Sequence, residues 1–381
     1  MNCARLLRTL LAAAAGSGAA LGGAGAMAQQ AVEISVLIPS LSGRKGLSES
    51  VTTIMGLQVW QTLRRTDGGK GPEHDFGRGT VKDALALPSL THRTAEDVAH
   101  QASFLSQMVL WGTVQDYGGG AIVEAYLSLP VYARLNDSYF ADFRRERKEE
   151  WVVRARAGAR QVEFRRDVPR RRIAFEPIVI APAVVRNYSS YDALQLYDPA
   201  DPSKPIGPIG NDITGVEQHG DSAIVTTRGV KGIVRLPQLS ANRSEVVDFV
   251  GGLMRIFRGD WAGAEQLMRG VAENRNAPTE VRVDAYLYRA LAMAKLGRSG
   301  EDHIERALEL NPYAERTAAF AIMDVLERLA RLTERDAAAS ERRDLIAQVR
   351  QRVERHRRLF LADDPWINGV LAGLKTIEDS L

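Results

Sequence analysis

The sequence predicts a multidomain α+β protein: an amino-terminal α/β domain, a small β-barrel and a carboxy-terminal α-helical array. Three observations carry this reading. Strand-like and helix-like patterns alternate before residue 140, short β stretches cut by turns crowd into Ala181–Ser240, and apolar residues recur at helical spacing from Arg243 onward.

The first 28 residues read as a signal peptide and are set apart from the fold. Arg5 and Arg8 precede a Leu/Ala/Gly/Ser run from Thr9 to Ala26, which closes on Ala26-Met27-Ala28, the small-x-small pattern of a cleavage site. Gly and Ser dilute the run too much for a membrane span. Cleavage near Ala28 predicts a periplasmic or secreted product without a transmembrane segment. The only cysteine, Cys3, lies in this leader, so the expected mature chain has no disulfide, thiolate nucleophile or cysteine metal site. The formal net charge is +3, of which Arg5 and Arg8 supply two, leaving +1. That balance argues against nucleic acid as a partner.

Residues 29–140 are predicted to form the α/β domain. Val32–Pro39 reads as a buried strand, and Val51, Ile54, Met55, Val59 and Leu63 recur as a helix does. Gly68–Pro72 is a loop. Thr94 is placed as the cap of a second helix, Ala95–Leu105, with Asp97 in its first turn. Met108–Val114 and Ala121–Leu129, parted by Gly118-Gly119-Gly120, predict a β-hairpin. This order of elements, and "VLWGTV…GGGAIVEAYLSLP" within it, resembles the amino-terminal α/β domain of TolB-like periplasmic proteins. The resemblance implies protein binding without catalysis.

Residues 141–180 read as a basic connecting segment. Between Arg144 and Arg172 stand twelve Arg/Lys against five acids, a local excess of +7. Trp151, Val152, Val153, Val162 and Phe164 interrupt the charge, so a partly exposed helix or ribbon is expected, or else a basic surface for anionic polymer. Arg170, Arg171 and Arg172 are the candidate partner-binding residues here.

In 181–240, β stretches are predicted at Val184–Arg186, Leu194–Tyr197, Ile213–Gln218, Ala223–Thr227 and Lys231–Arg235, with turns at Asp198-Pro199, Asp201-Pro202, Gly220-Asp221 and Arg228-Gly229. The turn at Ile206-Gly207, the "GDSAIV" hairpin and "GVKGIVRLP" resemble, in that order, the bacterial Src-homology-3-like (SH3b) barrel. Ile233 stands where that family usually has tryptophan, which weakens the transfer of an aromatic ligand groove. Tyr188, Tyr191 and Tyr197 are candidates for a replacement surface, the alternative being that they pack the small core.

Residues 241–381 are predicted to be helical. Val246–Phe257 stacks at helical spacing and stops at Arg258-Gly259-Asp260, and a second helix carries Trp261, Ala264, Leu267, Met268 and Val271. Gly252, Gly259, Trp261 and Ala264, followed by a second unit with Tyr286, Gly297 and "IERALELNP", resemble tetratricopeptide (TPR) repeats, which implies a surface for peptides or partner helices. Further helices are expected at about Ala314–Thr333, Ala337–Phe360 and Asp364–Asp379.

The sequence carries no recognised catalytic motif. G-x-S-x-G and H-E-x-x-H are absent, and Gly68-Gly69-Lys70-Gly71 lacks phosphate-loop spacing. The six histidines, at 74, 92, 100, 219, 303 and 356, have no metal-ligand spacing. No catalytic, cofactor or metal residue is therefore expected. The expected function is a non-catalytic periplasmic adaptor or scaffold that binds envelope proteins or peptides. Peptidoglycan binding is the alternative, and a carboxylate-based hydrolase, through acids such as Glu124, Asp137 or Glu217, a remote one.

Overall fold

The computed structural model describes residues 36–39, 41–48, 51–52, 55–56, 58–59, 81–84, 90–99, 107–130, 150–187, 195–208, 213–219, 222–227, 229–235, 245–360 and 363–381. The expected signal peptide lies outside them. The protein combines β-sheets with a carboxy-terminal array of helices.

The first sheet is built around a strand with no polar side chain. In β1 (Val36–Pro39), Val36, Leu37 and Ile38 are all fully buried, as a strand covered on both faces requires. It runs parallel to β2 (Val81–Ala84) and β3 (Met108–Tyr117), placing Val36 beside Val81 and Met108. β3 and β4 (Gly120–Ser128) form the predicted hairpin, with Tyr117 opposite Gly120. Gly118 and Gly119 turn at φ +60° and +82°, which only glycine adopts readily. β7 (Arg172–Ala174) and β8 (Ile178–Ile180) both pair with β4 and complete the sheet, so part of the expected connecting segment is sheet.

Alternation along these strands divides the interior. Val36, Ile38, Met108, Leu110, Val123 and Leu127 face the main core. Leu37, Val109 and Trp111 face the opposite way, onto Ala95, Val98 and Ala99 of α1 (His92–Ala99). This helix starts earlier than the sequence reading placed it. Thr91 and Thr94 cap it reciprocally, each backbone N–H donating to the other's hydroxyl at 2.7 and 3.2 Å. Residues 45–48, 51–52, 55–56 and 58–59 are helical, with Val51, Met55 and Val59 buried as their spacing predicts.

β5 (Glu150–Ala157) and β6 (Arg160–Asp167) form a separate two-stranded ribbon in the most basic part of the chain. Trp151, Val153, Ala155 and Ala157 are buried while Arg154 and Arg156 point outward. A period of two thus lets one edge of a cationic strand enter a core.

The next segment opens on a helix, α2 (Pro182–Asn187), where the sequence suggested a strand at Val184–Arg186. Pro182 at its first position has a pre-set φ and no N–H to leave unpaired, which favours a helical start. β9 (Gln195–Tyr197), β10 (Pro205–Pro208), β11 (Ile213–His219), β12 (Ser222–Thr227) and β13 (Val230–Arg235) then make one antiparallel sheet in the order β10-β9-β13-β12-β11. β10 was not anticipated. Among the described residues the sheet stays open, with β10 and β11 as its edges, where a closed barrel was expected.

The helical array comprises α3 (Glu245–Arg258), α4 (Trp261–Glu273), α5 (Thr279–Lys295), α6 (Glu301–Leu310), α7 (Glu315–Glu334), α8 (Ala339–Leu359) and α9 (Pro365–Glu378). Each packs on its neighbour in sequence from α3 to α6, and α7 packs on α8. The predicted boundaries hold within a few residues. Asp260 accepts from Gly263 N at 3.0 Å to start α4, and Asp364 accepts from Trp366 N at 2.9 Å to start α9 behind Pro365. α3 and α4 approach so closely that a Cβ on Gly252 would lie 2.6 Å from Met268 Cε.

Ala264 is fully buried in α4, between α3 and α5. Ala264→Glu is expected to destabilise the array by about 2–4 kcal/mol, because it buries a charge without a partner. Thermal unfolding measures this, and an unchanged midpoint would disprove the packing.

Candidate partner-binding site

Every second helix of the array faces the protein's own sheet and ribbon. From α3, Phe249 meets Phe175 edge-on at 5.7 Å. From α5, the Tyr288 hydroxyl accepts the Arg170 backbone N–H at 3.1 Å, and Lys295 Nζ donates to the Val152 carbonyl at 3.1 Å. From α7, Phe320 packs edge-on against Trp151 at 5.4 Å, and Glu327 accepts the Trp151 indole N–H at 2.8 Å. From α9, the Trp366 indole N–H donates to the Arg165 carbonyl at 2.6 Å. These contacts belong to one continuous core running from the first sheet through the ribbon to α9.

Several arginines of the described part of the basic segment are paired, some within the ribbon and some across to the helices. Arg154 and Arg165 both pair with Glu163, and Arg166 reaches Glu315 at 2.6 Å. Arg170 pairs with Glu280 and lies 2.7 Å from Asp284, which Arg316 approaches from the other side at 3.1 Å. Arg316 also donates to the Val168 carbonyl. Burial pushes the Asp284 carboxyl up from its ordinary range, and the two guanidiniums oppose that rise.

Of the residues singled out from sequence, Arg170 is committed to Glu280 and Asp284, Arg171 donates to the Pro130 carbonyl at 3.0 Å, and Arg172 pairs with Glu96 at 2.9 Å. The three are engaged in different places, Arg170 against α5, Arg171 at the end of β4 and Arg172 against α1, not on one open patch. Tyr197 is half-buried in β9, opposite Ile233 of β13. Tyr188 and Tyr191 lie outside the described residues.

A second polar cluster joins α1 to the first sheet. The Trp111 indole N–H donates to Ser128 Oγ at 2.9 Å, and Ser128 Oγ is 2.8 Å from His92 Nδ1. An indole nitrogen can only donate, so the serine oxygen accepts from it, while the direction of the Ser128–His92 bond is set by the imidazole tautomer. Burial lowers the His92 pKa from its ordinary value, Arg172 lowers it further, and Glu96 opposes both. A histidine with a depressed folded pKa binds protons more readily unfolded. Its contribution is therefore present above about pH 6.5 and is lost as the pH falls through the folded value. Wild-type protein is expected to lose more unfolding free energy between pH 7.5 and 5.5 than His92→Gln does, and equal losses would rule this out.

Glu315, His356 and Asp364 come together from the start of α7, the last turn of α8 and the cap of α9, with ligand atoms within 4.8 Å of one another. Spacing along the chain could not reveal such a trio, since each member sits at a different helix end. The donor set suits a divalent cation in kind but not in arrangement. Glu315 Oε1 already accepts from Arg166 at 2.6 Å and lies 3.2 Å from His356 Nε2. A cation on Nε2 would move the imidazole proton to Nδ1, which is buried and has no hydrogen-bond partner. The cluster acts as a clasp holding three helix ends to the ribbon.

An open concave surface lies elsewhere among the described residues. Between α6, the start of α7 and the end of α8 runs a groove of about 730 Å³, within the range of ligand-binding clefts. Leu308, Ala318 and Ala321 supply apolar lining, and Arg352, Arg355 and Arg358 line its α8 side. Tyr313 and Leu359, 76% and 43% exposed, stand at this groove as large apolar side chains turned to solvent. Sequence reasoning missed all of these except as members of helices, because a groove is made by three elements at once. No helix among the described residues is long and apolar enough to cross a membrane. Compared with family models, curated proteins and solved structures, the chain matches none of them.

Proposed function

We propose that this protein is a non-catalytic adaptor of the bacterial cell envelope that holds protein partners on its helical array. In this reading the helices are TPR-like repeats, the five-stranded sheet is an SH3-like module, and the leader at 1–28 exports the chain. The observation that carries it is the groove between α6, α7 and α8. The face formed by alternate helices is filled by the protein's own ribbon, whereas this groove keeps apolar lining and exposed Tyr313 and Leu359. Exposed apolar side chains in a concavity are where interfaces find their anchors.

Crosslinking in cells with the tagged full chain, followed by mass spectrometry, tests the reading. A few discrete proteins should be captured from wild type and lost from Leu359→Asp, a change at an exposed position that leaves the core intact. Deleting the array is unsuitable, because it would strip the ribbon of its core. Recovery of wall fragments in place of proteins would transfer the assignment to peptidoglycan binding, and capture unaffected by Leu359→Asp would remove the groove from it.

A further inference from the structure

We propose that the α6–α7–α8 groove takes an acidic amphipathic segment of a partner protein, seating its apolar side on Leu308, Ala321 and Leu359 and a carboxylate on Arg355. The inference rests on the adaptor reading and adds the chemistry of the partner.

Arg352, Arg355 and Arg358 follow one another at three-residue intervals, which places them on one side of α8 along the groove. The outer two are already neutralised, Arg352 by Glu301 at 2.8 Å and Arg358 by Glu354 at 3.1 Å. Arg355 stands between them, exposed and without an ion-pair partner among the described residues. A guanidinium in this position loses only water when a carboxylate arrives, and the apolar lining beside it supplies the rest of the contact. Glu354, also at the groove, is taken up by Arg358, so a cationic segment would meet the unpaired guanidinium of Arg355 without a free carboxylate beside it on α8. Glu305 on the α6 side is the one acid facing these arginines across the groove, so the partner's acidic edge lies along α8 and its apolar edge toward α6 and α7. Helix-in-groove recognition has this form, with apolar anchors at helical spacing and charges along one flank.

The test uses two fluorescent, roughly 16-residue helix-forming peptides, long enough for four helical turns. One is built of Leu, Ala and Glu with Leu on one side, and the other has every Glu replaced by Lys. Fluorescence anisotropy with the full chain is expected to show at least about tenfold tighter binding of the acidic peptide, a preference that shrinks with added salt. Arg355→Glu should reverse the preference at an unchanged melting temperature, and Leu359→Asp should weaken both peptides. Equal binding of the two peptides, or a preference untouched by Arg355→Glu, would overturn the proposal. So would a concentration-dependent dimer that Arg355→Glu dissociates, since the occupant would then be a second copy. Discrete partners captured in cells despite such a result would leave the adaptor reading standing without this chemistry.

Discussion

Trp151→Ala should remove about 3–5 kcal/mol of stability, a large share of the 5–15 kcal/mol that holds a typical domain together. Trp151 is fully buried, packs edge-on against Phe320 and donates its indole N–H to Glu327. Truncation therefore opens a cavity where ribbon and array meet. The hydrogen bond contributes the smaller part, because Glu327 keeps Lys295 at 2.9 Å. Trp151→Phe retains most of the ring and should cost only about 1–2 kcal/mol. Denaturant unfolding distinguishes these effects. A loss under about 1 kcal/mol for Trp151→Ala would mean that the ribbon is not part of the core.

The second large effect is expected at Asp284. Its side chain is almost wholly buried, and removing it leaves Arg170 and Arg316 facing each other without their shared carboxylate. Breaking a buried ion cluster by deleting one member costs about 3–5 kcal/mol, more than the cluster itself contributes to stability. Arg170 retains the exposed Glu280, which places Asp284→Ala toward the lower end of that range. The uncompensated charge is the cause, so Asp284→Leu combined with Arg316→Met should recover part of the loss. If the double variant is as unstable as the sum of the two single changes, the loss comes from packing and not from charge.

Local pattern made much of the fold legible. The buried strand at Val36–Pro39, the hairpin turning at Gly118-Gly119, the stops at Gly259 and Gly297 and the start at Asp364-Pro365 follow from residues within a few positions of each element. The ribbon was harder to see because net charge and periodicity pointed in different directions. Counting arginines between 144 and 172 suggests a solvated segment, yet Trp151, Val153, Ala155 and Ala157 already alternate as a half-buried strand must. Alternation was the better guide, since a strand needs only one apolar edge. At Val184–Arg186 two β-branched residues suggested a strand, and Pro182 two positions earlier opened a helix instead. The groove was illegible for a different reason. Leu308, Tyr313, Arg355 and Leu359 come from two helices and a turn, and nothing local announces that they converge.

The docking of the ribbon also bears on how the chain reaches its fold. Trp151 meets Glu327 across 176 positions, and the Arg156 N–H meets the Thr333 hydroxyl across 177. A chain made from its amino terminus presents the apolar edge of the ribbon long before the helices that cover it exist. Contacts of such separation slow folding, because a long loop must be ordered before they form. During that interval the apolar side of the ribbon, with Trp151 and Val153 from β5 and Phe164 from β6, lacks its cover, and interspersed charges are the usual guard of such a surface against aggregation. Arginines such as Arg154, Arg166 and Arg170, paired in the finished protein, thus have a second use before folding is complete.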